Sequence, residues 1–420
     1  MTHLRNKVAV MSAFALGCLI TFIVLTVNDV LKNVVEDHIK EHTKLKLNSE
    51  AYKNWKDPPV PVYMQIFFFH IENPEEILKG NQPMVREVGP YTYMELRHRS
   101  NVLLFDNATI SAATQKSFIF QPAMSVGDPR VDVITTINIP FVLNGTDDGE
   151  YLFSTGKKDY MDFSKILTWK GQKSLNWWAS NTSNMINGTD GATFHPLIKK
   201  DEALYIFAPD ICRSLYLTFE KEVQVKGISA YRFTIPKEIF AIDNLSIEGF
   251  CPAMNCHLSG VLNISVCKQG VPIFISSPHF YNGDEKLVSD IVGMKPDMEA
   301  HQTFLDLEPM TGIPIRAAKR MQLNIHIQAV DYIFQTGRIR TMLLPVVFLN
   351  EHAVIDDKSA VKLKWALHII KVVFYIPYII LWVGILLFLI SLTLIFVMCR
   401  CKENKEYTPV ALKLPNIKTH

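Results

Sequence analysis

Hydrophobic residues are spread unevenly along this chain, in one long run near each end and short alternating runs between them. The first run, residues 8–27, holds twenty residues without a charge. As a helix rising about 1.5 Å per residue it would be about 30 Å long, the thickness of a hydrocarbon core. Arg5 and Lys7 precede it, and the positive-inside bias assigns residues 1–7 to the cytosol. Its length, and the poor cleavage pattern at Thr26-Val27-Asn28, point to an uncleaved anchor rather than a signal peptide. The second run, residues 372–398, carries Tyr375, Tyr378 and Trp382 toward its outer end and Pro377 near its start. Lys362, Lys364 and Lys371 flank it on one side and Arg400 and Lys402 on the other, so charge alone does not orient it.

Between the runs, residues 60–350 alternate short β-forming stretches with Gly, Pro and Asn. Strands are expected at 61–69, 91–93, 101–105, 117–120, 131–137, 214–219, 230–235, 272–276 and 322–327. Turns at Asn73-Pro74 and Gly89-Pro90 separate the first of them. The pattern predicts a mainly β fold, an antiparallel sheet or barrel, with peripheral helices at 74–78 and 287–292. Residues 30–47 read as an amphipathic continuation of the first membrane helix.

Composition then narrows the chemistry. A net charge of +2 over 420 residues gives no reason to expect nucleic acid. Six Asn-x-Ser/Thr sequons, at Asn107, Asn144, Asn181, Asn187, Asn244 and Asn263, all fall between the spans, which places residues 28–371 in the secretory lumen. The tail, 399–420, is then cytosolic. Of seven cysteines, Cys212, Cys251, Cys256 and Cys267 cluster in the lumenal part. In an oxidising compartment they read as two disulfides, with three pairings open. A zinc site using His257 is the rival, disfavoured by the loose spacing of Cys251 and Cys256. Cys399 and Cys401 lie beside the membrane and are palmitoylation candidates. Motifs for serine hydrolases, phosphate loops, zinc proteases and dinucleotide loops are missing, so the expectation is no enzyme, no metal and no cofactor. Histidines such as His195, His257 and His279 are candidate protonation switches in an acidifying compartment.

Particular motifs carry a resemblance. Glu87-Val-Gly-Pro-Tyr-Thr-Tyr93, Asn73-Pro-Glu-Glu76, Ile134-Thr-Thr-Ile-Asn-Ile-Pro140, Asn144-Gly-Thr-Asp-Asp-Gly149, Ser277-Pro-His-Phe280 and Ile315-Arg-Ala-Ala-Lys-Arg320 together resemble the class B scavenger receptors. Asn184-Met-Ile-Asn-Gly-Thr-Asp-Gly191, Phe194-His-Pro-Leu-Ile198 and Cys212-Arg-Ser214 are similar to the family's lysosomal branch. The resemblance implies a glycosylated β-barrel ectodomain with an apolar tunnel, set between two transmembrane helices. It implies the pairings Cys212 with Cys267 and Cys251 with Cys256. It also implies a lysosomal or late endosomal receptor that escorts a hydrolase, acid β-glucosidase, and carries lipid such as cholesterol. The alternative within the family is a plasma-membrane scavenger receptor for lipoproteins or anionic lipids.

Two departures qualify that expectation. In the family a long, mostly helical cap follows the strand that ends like Asn138-Ile-Pro140, whereas here only Phe141-Val-Leu143 precede Asn144. Cargo binding credited to the cap is therefore in question for this chain. The tail also lacks the acidic-dileucine signal of the lysosomal branch. It offers instead Tyr407-Thr-Pro-Val410, a Tyr-x-x-apolar pattern that cytosolic sorting adaptors could read through Tyr407 and Val410.

Overall fold

The computed structural model describes residues 2–137, 147–241, 249–250 and 258–406. The chain forms two compact units, residues 1–38 with 365–420, and residues 39–364. Helix α1 (Thr2–Val27) ends where Asp29 takes a left-handed conformation, φ +48°, and α2 (Val30–Thr43) begins afresh. The expected continuation over residues 30–47 is thus broken at its start and stops early. Leu45, beyond α2, is buried and bonds its N–H to the Thr155 carbonyl. Helix α3 (Glu50–Lys56), absent from the sequence reading, is capped by the Ser49 hydroxyl, which accepts from the Tyr52 N–H at 3.1 Å. It exists to bury one side chain, Trp55.

Among the described residues, thirteen strands pair antiparallel in one sheet. They are β1 (Val62–Ile71), β2 (Val85–Phe105), β3 (Thr109–Phe120), β4 (Asp147–Ser154), β5 (Ile166–Trp169), β6 (Leu204–Ala208), β7 (Arg213–Val225), β8 (Ile228–Thr234), β9 (Val261–Asn263), β10 (Ile273–Ser276), β11 (Phe304–Leu307), β12 (Pro314–Ile327) and β13 (Met342–Val354). Short helices α4 (Pro74–Leu78), α5 (Glu285–Ser289) and α6 (Met298–His301) lie in the connections. The main path runs β5-β4-β3-β2-β1-β13-β12-β11-β8-β7-β6, with β9 and β10 attached to β12.

The two ends of this path meet through a short segment. Ile166 of β5 donates to the Gly188 carbonyl at 2.8 Å. On its other side Thr189 donates to Tyr205 at 3.1 Å and accepts from Phe207 at 2.9 Å, both in β6. The sheet is thereby nearly closed into a barrel, and its edges are paired rather than exposed. Only glycine fits at 188: its φ is +90°, and a Cβ would lie 2.0 Å from the Tyr205 carbonyl oxygen.

The expected mainly β fold is what forms, with three local corrections. Gly89-Pro90 is not a turn but lies inside β2, where the pairing with β1 shifts register between Ile66 and Phe68. Residues 131–137 are not a strand. β1 already has β2 beside it, and the segment reaches only its end, where Ile71 donates to Thr135 at 2.8 Å. Val131 and Val133 are left exposed. The helix expected at 287–292 is α5, and Val292 instead accepts from the Val85 N–H at 2.9 Å as a one-residue partner of β2.

Helix α7 (Asp357–Glu406) is the last element among the described residues. Segments Arg5–Val27 and Asp357–Arg400 are each long and apolar enough to cross a membrane. In their unit the two helices approach closely at Gly384, where a Cβ would lie 2.7 Å from that of Cys18, and Phe22 meets Tyr378 edge to face at 5.9 Å. Such small-residue contacts are how helices pack where no hydrophobic effect drives them together.

Candidate functional site: the barrel interior

The inward face of the barrel is built by register. Opposed residues of β1, β13 and β12 form successive rows: Phe68, Val347 and Leu323, then Ile66, Leu349 and Met321, then Met64, Glu351 and Lys319. Two rows are apolar and belong to the main core cluster, with Ile66, Phe68 and Met321 only partly covered. The third row turns polar.

From that row a network of charges extends across the interior. Lys319 Nζ lies 2.6 Å from Asp210 Oδ2 and 3.9 Å from Glu351 Oε2. Arg97 of β2 binds Glu351 and also Glu95, the latter at 2.8 Å. Lys116, directly opposite Arg97 on β3, pairs with Asp148 of β4 at 3.2 Å. Asp210 sits in the turn between β6 and β7, which β11 and β8 separate from β12 along the sheet. The Lys319–Asp210 bridge therefore crosses the inside of the barrel rather than following its wall. Protein surrounds both groups, yet their side chains keep 36% and 41% of their accessible surface. Lys319 shares its face of β12 with Met321 and Leu323 of the apolar rows.

Each charge holds its neighbour ionised. Lys319, helped by Lys116, keeps the Asp210 carboxyl well below the usual carboxylate range. Burial opposes charge on Glu351, but Arg97 and Lys319 outweigh it and hold its carboxyl well below the usual carboxylate range. Burial likewise works against the ammonium groups of Lys319 and Lys116, and it is outweighed by Asp210 together with Glu351 at Lys319 and by Asp210 together with Asp148 at Lys116, so both are held protonated.

Nearby, Asp190 pairs with the buried Arg99, whose guanidinium stacks 4.0 Å from the Trp55 ring and 4.9 Å from Phe153. The sequon stretch Asn187-Gly-Thr-Asp190 thus serves the barrel twice, as its closing segment and as the anion for a buried cation. The sequence reading took it as turn chemistry with glycosylation. Charged residues in phase with inward apolar ones, as at Glu95, Arg97 and Lys319, were the signal for the interior network, but only the strand register reveals the phase.

Other expected residues are scattered. Cys212 and Cys267 are disulfide-bonded, with Cα atoms 6.4 Å apart, two residues from Asp210. Cys251, Cys256 and His257 lie outside the described residues, as do Asn144, Asn244, Tyr407 and Val410. Asn107 and Asn181 are exposed, Asn187 and Asn263 half-buried. Cys399 is free and exposed, while Cys401 lies in α7 with its side chain outside the described residues. His195 is buried beside Glu202 at 3.5 Å.

His279 stacks on His301 with ring centroids 4.6 Å apart and contacts Glu87 through Nε2 at 2.6 Å. Their Nδ1 atoms accept from the Lys295 and Asp297 N–H groups at 3.1 and 2.9 Å, fixing both as the Nε2–H tautomer when neutral. Burial and the neighbouring His279 push His301 down to about 4.

Comparison with known proteins fits this architecture. Lysosome membrane protein 2 of Rattus norvegicus and of Homo sapiens are each 41% identical over 466 residues, covering 96% of this chain and 97% of theirs. Scavenger receptor class B member 1 of Cricetulus griseus is 32% identical over 434 residues, covering 86% of this chain and 84% of its own length. The 466-residue alignment is longer than this 420-residue chain, so these relatives carry residues that it lacks. The profile of the CD36 family matches residues 13–143 and 142–395, breaking and resuming at one point. This chain belongs to the CD36 family.

Proposed function

We propose that this protein is a two-pass membrane receptor of lysosomes or late endosomes whose barrel interior binds and conducts lipid, cholesterol among the ligands. The observation that carries the reading is the nearly closed barrel with a partly uncovered apolar wall, in a chain 41% identical to lysosome membrane protein 2. Both termini are cytosolic in this reading and residues 28–371 lumenal, with glycans on the six sequons and a second disulfide joining Cys251 and Cys256. Sorting runs through adaptors that read Tyr407 and Val410, and Cys399 and Cys401 carry palmitate.

Escort of acid β-glucosidase is the finer part of the proposal. A folded enzyme needs a docking patch on the order of 800 Å² per partner with an apolar centre. The relatives' additional residues, at the break near 142–143, are the natural platform for it. The chain therefore keeps lipid and loses most of its affinity for the enzyme. The full-length protein, purified at neutral pH, would be assayed for enzyme capture and for labelling by a photoactivatable sterol. Sterol labelling without capture is expected. Capture as strong as that of lysosome membrane protein 2 would put the platform on the barrel, and absence of labelling would remove the lipid reading.

A further inference from the structure

The ionic network does not resemble an ordinary surface cluster, because its members come from opposite sides of the barrel. Starting at β2, it passes from Arg97 to Glu351 on β13, to Lys319 on β12, and across to Asp210 in the turn between β6 and β7. It returns toward β3 and β4 through Lys116 and Asp148, Lys116 being next to Arg97 in the register. The apolar rows of β1, β13 and β12 end where it begins. An apolar molecule moving along this wall meets a ring of fixed charge.

We propose that this ring is the selectivity element of the barrel, and that the Lys319–Asp210 bridge is the pair a ligand must part to pass it. The inference rests on the lipid-conducting reading above. Three features single out this bridge. It is the link that spans the interior, whereas Arg97–Glu95 and Lys116–Asp148 join groups on one strand or on adjacent strands. Its two side chains stay partly accessible, and Lys319 is in phase with the apolar Met321 and Leu323. Each also has a second partner to fall back on, Glu351 at 3.9 Å for Lys319 and the field of Lys116 for Asp210, so opening strands neither charge. A ligand with a polar head can replace one member of the pair as it passes. A wholly apolar one brings no polar group of its own, leaves the parted charges to their weaker second partners, and crosses more slowly.

The test uses the full-length chain in nanodiscs, loaded with a fluorescent sterol or, separately, with a fully apolar sterol ester. Release to acceptor vesicles is timed for the native chain and for Asp210→Asn, Asp210→Glu and Lys319→Met. Because the pair is partly accessible, losing it should speed ester release about tenfold and sterol release less. Asp210→Glu, which keeps the charge, should restore the native rate, an outcome that mere loosening of the fold would not give. Melting temperature, followed in parallel, identifies any variant that fails to fold, and whichever of Asp210→Asn and Lys319→Met folds then carries the comparison with the native chain and Asp210→Glu. Loading of both probes with release rates unchanged by every variant would overturn the gate. Failure of any chain to load would overturn the underlying lipid reading instead.

Discussion

The helical unit and the barrel unit are built inside out with respect to each other. On α7, Trp382 is 69% exposed, while the close contact is made by Gly384 and Cys18. In the barrel unit Trp55 is 1% exposed, sealed under Arg99 and beside Phe153. Large apolar groups face outward in one and inward in the other because the two answer to different solvents. In lipid, burying a large apolar group gains little, and small residues that let backbones approach gain more. In water the balance is reversed.

Substitution should expose that contrast most clearly at its two tryptophans. Trp55→Ala removes a sealed ring and leaves Arg99 with only the more distant Phe153 ring, a loss of about 3–5 kcal/mol. Trp382→Ala should change the unfolding of the barrel by no more than about 0.5 kcal/mol. Thermal melts of both variants in nanodiscs, read by near-UV circular dichroism, would check this. Equal losses would mean that α7 is not lipid-facing at Trp382.

Acid should separate the units next. His301 is 6% exposed and its pKa is depressed from 6.5 to about 4, so the folded state holds it neutral. Its contribution is fully present above about pH 6.5 and is lost as pH falls toward 4, because the unfolded chain takes up the proton first. The loss should approach 2–3 kcal/mol, roughly 1.4 kcal/mol per pH unit. His279, Glu87, Asp297 and Arg320 are the charged or titratable groups that bear on it. Denaturant midpoints of the native chain and of His301→Gln, measured from pH 7 to about pH 4.5, should converge at the acid end. A native chain with no acid slope beyond that of the variant would contradict the buried neutral histidine.

Smallest is the effect at the helix contact. Gly384→Val pushes a Cβ against Cys18 and should weaken the helix pair by about 1–3 kcal/mol without moving the barrel's melt. Disulfide trapping between engineered cysteines on α1 and α7 would report it.

The two units also differ in how readily the sequence discloses them. Residues 8–27 and 372–398 declare themselves because a lipid-facing helix needs an unbroken apolar run, and both lie within the observed helices. Most expected strands fall inside observed ones, but 91–93 and 101–105 are parts of a single strand, β2, bent by a register shift between Ser100 and Leu103. β4, β5, β6, β9, β11 and β13 went unread: Asp147-Asp-Gly149 looks like a turn, β9 is three residues long, and Pro345 interrupts β13. Pairing on both sides overrides such local signals. The interior network depends on long-range register and on a contact across the barrel, neither of which any local window contains.

The central claim, that the barrel interior rather than the helix surface holds the lipid, is most directly tested by mapping where a photoactivatable sterol attaches. Full-length protein would be labelled, digested and read by mass spectrometry. The account predicts adducts on inward residues of β1, β3 and β12, at Ile66, Phe68, Phe118 and Met321. Adducts confined to α1 and α7, with these four positions unlabelled, would contradict it.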